Sequence, residues 1–272
     1  MQTSNSATHI FDTAIALTPH DDDNYNGQTS PAYGNMVGPF GGIIGATLLN
    51  AMMCHPARLG DPLSLTVHYA APIADGAFSV HARAVRTNRS TQHWIIELIQ
   101  ADQVAAFATV TSAIRRDSWN ATDAIFPSVP SADSLTRAPA IERAAWTARY
   151  DMRFIDGSMG TPNTSSHPSQ SRLWVRDEPA RPLDFLSLAA ICDAFVPRIF
   201  VRQSRWMPAS TVALTTYFHA DAAQLSAQDC APVLGIARAL HFGHGFSDQS
   251  AEIWSTDGVL LAVSHQIVYF KG

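Results

Sequence analysis

The order of elements in this sequence occurs twice, and that repetition constrains the fold more than any single motif. The run FGGIIGATLLNAM, Phe40 to Met52, is apolar nearly all round and follows a loop rich in glycine and proline, so it reads as a buried helix starting near Gly41. Strand signals follow: Ser64 to Tyr69 alternates, Phe78 to Arg86 alternates more loosely, Trp94 to Gln100 is rich in β-formers, and Val104 to Ile114 is a long run of Val, Thr, Ala and Phe. The same order returns with a helix over Asp184 to Val196 and strands near Ser210 to His219, Val233 to Phe242, Gln249 to Ser255 and Val259 to Phe270. The last two strands are joined by the turn signal Asp257-Gly258.

The copies align directly. SLTVHYAA lies on ALTTYFHA with Leu65 opposite Leu214, and ELIQADQVAAFATVTSAI lies on EIWSTDGVLLAVSHQIVY with Glu97 opposite Glu252; the longer AQLSAQDCAP connection absorbs the change in offset. Two copies of one helix followed by antiparallel strands predict an α+β chain whose sheets wrap their helices and pair edge to edge. Asp117 to Ala145, rich in Pro, Ser and Ala, reads as a surface linker, so residues 1–116 and 146–272 are the expected units, with 117–145 between them. RYDMRFIDG and SRLWVRDE read as strands leading into the second helix, and HIFDTAIAL and YNGQTS as their counterparts.

One carboxylate interrupts the second helix. In LAAICDAFVP, the helical neighbours of Asp193 are Ala189, Ala190, Leu186, Val196, Pro197 and Phe200, so the acid sits in an apolar stripe that disfavours its charge. Pro197 puts it near the helix end, where a negative charge faces the unfavourable pole of the macrodipole. Either Asp193 is a working carboxylate or its oxygens cap local backbone. Gly41 and Gly42 raise a similar choice. They let a ligand carbonyl approach the N–H groups at the start of the first helix, as an oxyanion site, or they let that helix pack closely on a neighbour.

Composition excludes several classes. The 272 residues are 46% hydrophobic, enough for real cores, yet no apolar run approaches the roughly eighteen residues of a membrane span, and the N-terminus lacks a leader pattern. A cytoplasmic protein without membrane insertion is the expectation. The three cysteines have no CxxC spacing and read as small buried hydrophobes. A net charge of -5 argues against nucleic-acid binding. His241 and His244 would point to opposite faces of a strand, Ser247 and Ser158 lack a GxSxG elbow, and GPFGGIIG fits neither nucleotide-binding pattern. Neither metal nor cofactor is expected.

Taken in order, FGG at Phe40–Gly42, the RTNRS turn at Arg86–Ser90, SRLWVR, ICDAF, ASTVALTTYFH and STDGVLLAVSHQ resemble the bacterial type II acyl-CoA thioesterases, which have a double hotdog fold. The resemblance spans nearly the whole chain and implies acyl-CoA as substrate. It also implies a water held by an Asp on the second helix, a Thr on the next strand and a Gln on the last strand, here Asp193, Thr211 and Gln266. Thioester hydrolysis needs such a set: a base for the water's proton, groups that fix its lone pairs and hydrogens, and donors for the developing oxyanion. The related dehydratases need a His near the acid, and none lies close to Asp193 in sequence. Because one chain holds both copies, it supplies by itself the pairing that single hotdog proteins obtain by dimerising; further assembly into a homo-oligomer stays open.

Extending the repeat through the helices puts Asn50 opposite Asp193, Pro62 opposite Thr211 and Thr111 opposite Gln266, so one working set per chain is expected. Arg198, Arg202 and Arg205, or Arg115 and Arg116, are candidates for coenzyme A phosphates. Two function classes remain: an acyl-CoA hydrolase, or a non-catalytic acyl-CoA or acyl-chain binding protein on the same scaffold.

Overall fold

The computed structural model describes residues 8–159 and 168–272. The first half comprises α1 (Ile10–Ala14), β1 (Thr18–Pro19), β2 (Asn24–Gln28), α2 (Gly41–Cys54), β3 (Asp61–Tyr69), β4 (Ala77–Thr87), β5 (Thr91–Gln100) and β6 (Gln103–Ala113). The second comprises β7 (Tyr150–Asp156), β8 (Ser171–Asp177), α3 (Phe185–Ile191), α4 (Arg198–Gln203), β9 (Ala209–Phe218), α5 (Ala222–Gln228), β10 (Val233–Arg238), β11 (Phe242–Gly243), β12 (Phe246–Trp254) and β13 (Leu260–Phe270). All 13 strands join one sheet, in the order β1-β2-β4-β5-β6-β3-β9-β13-β12-β10-β8-β7 with β11 hairpinned to β12. This is the expected α+β double hotdog: α2 and α3 pack against each other inside one continuous antiparallel sheet.

The repeat dictates how the halves meet. At the seam β3 pairs antiparallel with β9, and Thr66 lies opposite Thr215. Laying Leu65 on Leu214 makes these two threonines counterparts, so the approximate two-fold passes between them; their Oγ1 atoms are 3.0 Å apart. Even the irregularities repeat. A register shift between Pro62 and Ser64 bulges β3 at Leu63, and one at the matching place bulges β9 at Val212.

The hairpin turns break the symmetry. Ala101 and Asp102, both at positive φ, close β5 on β6 as a two-residue turn, whereas Thr256, Asp257 and Gly258 form a longer one between β12 and β13, with Gly258 at φ 81. Thr66 pairs with Thr109 and Thr215 with His265. The strand counterpart of Gln266 is therefore Val110, one residue from the Thr111 of the ungapped alignment. Pro62 remains opposite Thr211.

Several expectations are corrected. The second helix does not reach Val196: α3 ends at Ile191, a turn carries Cys192 and Asp193, and the chain restarts as α4 after Pro197. Pro197 has no N–H to donate and biases Val196 away from helical geometry. Arg198 fastens the break. It is 1% exposed and donates to the Val196 carbonyl, Gln249 Oε1 and Ser171 Oγ, so it is not free for a phosphate. Arg115 is likewise engaged, bonding the carbonyls of Pro62, Phe218 and His219 beside the seam, while Arg116, Arg202 and Arg205 are exposed. HIFDTAIAL forms α1, capped by His9, in place of a strand; its Phe11 is anchored in the core. His241 and His244 flank a two-residue strand that turns at His244 and Gly245, so they do not share a continuous strand. Only Cys192 is buried; Cys54 is exposed and Cys230 half-buried.

Residues 126–135 lie along the far side of the second half. Phe126, Val129 and Leu135 cover the cross-strand row Trp174, Leu234 and Trp254, and Trp174 Nε1 donates to the Pro130 carbonyl at 2.8 Å. Covering this apolar row removes from water part of the sheet's outer face.

Candidate active site

The break after α3 decides where Asp193 points. Its carboxylate does not face the C-terminal pole of its own helix; it faces the first turn of α2, near the Gly42 N–H. A Cβ built on Gly41 would lie 2.6 Å from Asp193 Oδ2. The acid from one half thus stands at the start of the helix of the other, the favourable end of that helix's dipole. The dipole penalty expected from sequence is reversed by tertiary packing.

The burial penalty remains. Asp193 is 7% exposed. Taking a carboxylate out of water costs several kcal/mol even after relaxation, while the favourable pole of a helix returns about 0.3–2 kcal/mol, so desolvation wins. Burial pushes the Asp193 carboxyl up to about 7, against the smaller opposing effect of the Gly42 N–H.

Thr211 and Gln266 reach the same place from adjacent strands. On β9 the inward residues are Leu214, Thr216 and Phe218, so unbroken alternation would turn Thr211 outward. The Val212 bulge reverses this: Thr211 pairs with buried Val268 and shares its inner face. Gln266, opposite Leu214, is buried there too, and Thr211 Oγ1 donates to Gln266 Oε1 at 3.0 Å. Asp193, Thr211, Gln266 and Gly41 all line one cavity of about 830 Å³. Its walls are largely apolar, with Ile73, Ile141, Trp146, Phe195, Phe200 and Trp206 among them. Trp146 is held by stacking on Phe40 at 4.3 Å.

The two glycines divide their roles. Gly41 heads α2 and borders the cavity; its position leaves its N–H without an intrahelical partner. At Gly42 a Cβ would meet the Phe40 ring at 2.5 Å and the Ala190 carbonyl at 2.6 Å, so this glycine permits α2 to approach α3 closely. Asn50, inside unbroken α2, donates its side-chain amide to the Ile15 carbonyl and has no part in the cavity lining.

The motif reading missed Tyr69. Leu65 and Val67 face inward on β3, and period two would have placed Tyr69 with them. Its hydroxyl donates to the Gly41 carbonyl at 2.8 Å and it borders the same cavity.

Comparison with known families finds the acyl-CoA thioesterase C-terminal domain over residues 126–270 and the acyl-CoA thioesterase N-terminal domain over residues 30–113. A hot dog fold protein of unknown function from Alicyclobacillus acidocaldarius is 45% identical, with 98% of this chain and 99% of that one covered and a TM-score of 0.94. An acyl-CoA thioesterase II, TesB2, from Mycobacterium marinum shares the fold at 16% identity, covering 96% and 98% of the two chains with a TM-score of 0.75. The tesB protein of Mycobacterium avium subs paratuberculosis does so at 17% identity, 96% and 98% coverage and a TM-score of 0.79. No curated protein matches the chain.

Proposed function

The chain belongs to the acyl-CoA thioesterase family, and we propose that it hydrolyses acyl-CoA thioesters to free acid and coenzyme A with Asp193 as general base. A water held between Thr211 and Gln266 loses a proton to Asp193 as its oxygen attacks the thioester carbonyl. The oxyanion develops against the start of α2, where the N–H groups of Gly41 and Gly42 have no intrahelical partner. Collapse re-forms the carbonyl and expels the coenzyme A thiolate, which takes up the proton.

The observation that carries this reading is a buried carboxylate, held near pKa 7, beside a hydrogen-bonded Thr–Gln pair at an apolar cavity. A base is most effective with a pKa near the working pH. A protein that only bound acyl chains would need the apolar walls and would gain nothing from the desolvation cost at Asp193. We divide the chain into an N-terminal unit, 1–116, a linker, 117–145, and a C-terminal unit, 146–272, that supplies the base and its water ligands. Its free cysteines favour work in the cytoplasm. The test is a panel of acyl-CoA thioesters with free-thiol detection. Thiol release by the wild type and its loss in Asp193→Asn is the expected result, and equal release by both would remove Asp193 from the reaction.

A further inference from the structure

Among the described residues that border the active cavity, two carry a charge: Asp193 and Arg143. Asp193 is buried, whereas Arg143 is exposed, and its guanidinium makes no ion pair or hydrogen bond with a described residue. The acid is inside and the cation at the mouth. No cation among the described residues offsets the Asp193 charge, so Arg143 is not its counter-ion.

Arg143 belongs to the segment 117–145, which reads from sequence as a surface linker, yet its backbone is held in place. The Ala144 N–H closes a turn on the Ile141 carbonyl at 2.9 Å, the Ile141 N–H bonds Thr147 Oγ1 at 2.8 Å, and the Trp146 N–H bonds the Gly34 carbonyl at 3.2 Å. Ala144 and Trp146 are buried. Ile141, Ala144 and Trp146 border the cavity together with Arg143, while the acidic neighbour Glu142 does not. This turn presents the cation to the cavity and leaves the acid out of it.

We propose that Arg143 is a specificity-determining residue at the cavity mouth, binding a phosphate group of the coenzyme while the acyl thioester lies inside. This rests on the reading of the cavity as an acyl-CoA site. Such a ligand has two unlike ends. Its acyl group and thioester are uncharged and suit apolar walls, whereas its phosphates are anionic and stay near water, where their charge is not buried. A guanidinium presents a planar fork of donors to phosphate oxygens and is weakly hydrated, so it gives up little solvation on binding one. Met36 and Val37, exposed apolar residues, border the same cavity and offer surface for the arm that joins the two ends. The arginines singled out from sequence do not fill this place. Arg198 and Arg115 are engaged in the fold, and Arg116, Arg202 and Arg205 do not border the cavity.

The experiment is calorimetric titration of non-hydrolysable thioethers into wild type and Arg143→Gln. The ligands are S-octyl-coenzyme A, its dephospho form lacking the 3′-phosphate, and S-octyl-pantetheine, which has no phosphate. S-octyl-coenzyme A should bind the variant about tenfold more weakly, the loss of one charge-assisted contact at an exposed site, while S-octyl-pantetheine binds both proteins alike. Raising the ionic strength should narrow the gap. A gap that persists with the dephospho ligand places Arg143 at the diphosphate, and one that vanishes places it at the 3′-phosphate. Equal affinity of the two proteins for S-octyl-coenzyme A, or an equal loss with S-octyl-pantetheine, would overturn the proposal. Failure of S-octyl-coenzyme A to bind the wild type would overturn it together with the acyl-CoA site. The expected gap without thiol release from any acyl-CoA would uphold it and remove the hydrolase reading alone.

Discussion

The Thr211 hydroxyl donates to Gln266 Oε1 across the β9–β13 pair at 3.0 Å. This bond fixes the amide: its oxygen is occupied, so its NH₂ is the donor left for the cavity, and the threonine oxygen keeps its lone pairs as acceptors. One donor and one acceptor side by side can hold a single water in a fixed orientation.

Thr211→Val and Gln266→Leu should therefore each lower turnover by about tenfold or more, and the double variant should lose much less than the product of the two, because both act on one water. Steady-state kinetics on one acyl-CoA measures this cycle. Thr111→Val should keep near wild-type turnover, since Thr111 lies on β6 outside the cavity lining and its hydroxyl meets His93.

Asp193→Asn keeps the shape of the side chain and removes its basicity. Turnover should fall by about two orders of magnitude or more, while an acyl-CoA still binds in an equilibrium titration. The wild-type kcat/KM should rise through about pH 7 as Asp193 ionises, and that limb should be absent from the residual rate of the variant.

The same substitution should stabilise the fold, with a definite pH dependence. Asp193 has a folded pKa of about 7, raised above the ordinary carboxylate value of 3.8. Below about pH 3 the group is largely neutral in both states and has little effect; as pH rises toward 7 the unfolded chain ionises first, and wild-type stability falls. Asp177, pushed up to about 6 by burial, acts with the same sign and is common to both proteins. Denaturant unfolding of Asp193→Asn against wild type should show a gain on the order of 2–4 kcal/mol at pH 8 that shrinks toward zero by about pH 3. A constant difference across that range would contradict burial as the cause.

Gly41→Ala separates fold from chemistry. In the first turn of α2 an alanine is an ordinary helix former. Its methyl group, however, would stand 2.6 Å from Asp193 Oδ2, and the carboxylate is the part free to move. The melting temperature should change by only a few degrees, whereas turnover should fall by about tenfold or more as base and water separate.

Much of this molecule is written in local pattern. Alternation along β3, β9 and β13 reports which side chains are buried, and the repeat offset already makes Thr66 and Thr215 counterparts, as an approximate two-fold at the seam requires. The residue types of the candidate site were legible for the same reason: an acid in an apolar stripe is conspicuous wherever it points. Tyr69 was legible as well, by period two, but nothing local indicated that its hydroxyl would meet a peptide from another element.

The sequence by itself determined the doubling and the antiparallel class, singled out Asp193 as an acid in an apolar stripe, and through its family resemblance offered Thr211 and Gln266 as candidates. Only the tertiary structure decided which way they face. Helix periodicity continues through LAAICDAFVP, yet α3 stops at Ile191, because Pro197 and the buried Arg198 clamp favour a break over another turn. A single extra residue at Val212 turns Thr211 inward, and a longer turn at Gly258 shifts the counterpart of Gln266 by one position. The favourable pole that meets Asp193 belongs to a helix about 150 residues earlier in the chain. Periodicity records burial one residue at a time, whereas facing and pole depend on contacts between distant segments, where one inserted residue reverses the direction of a side chain.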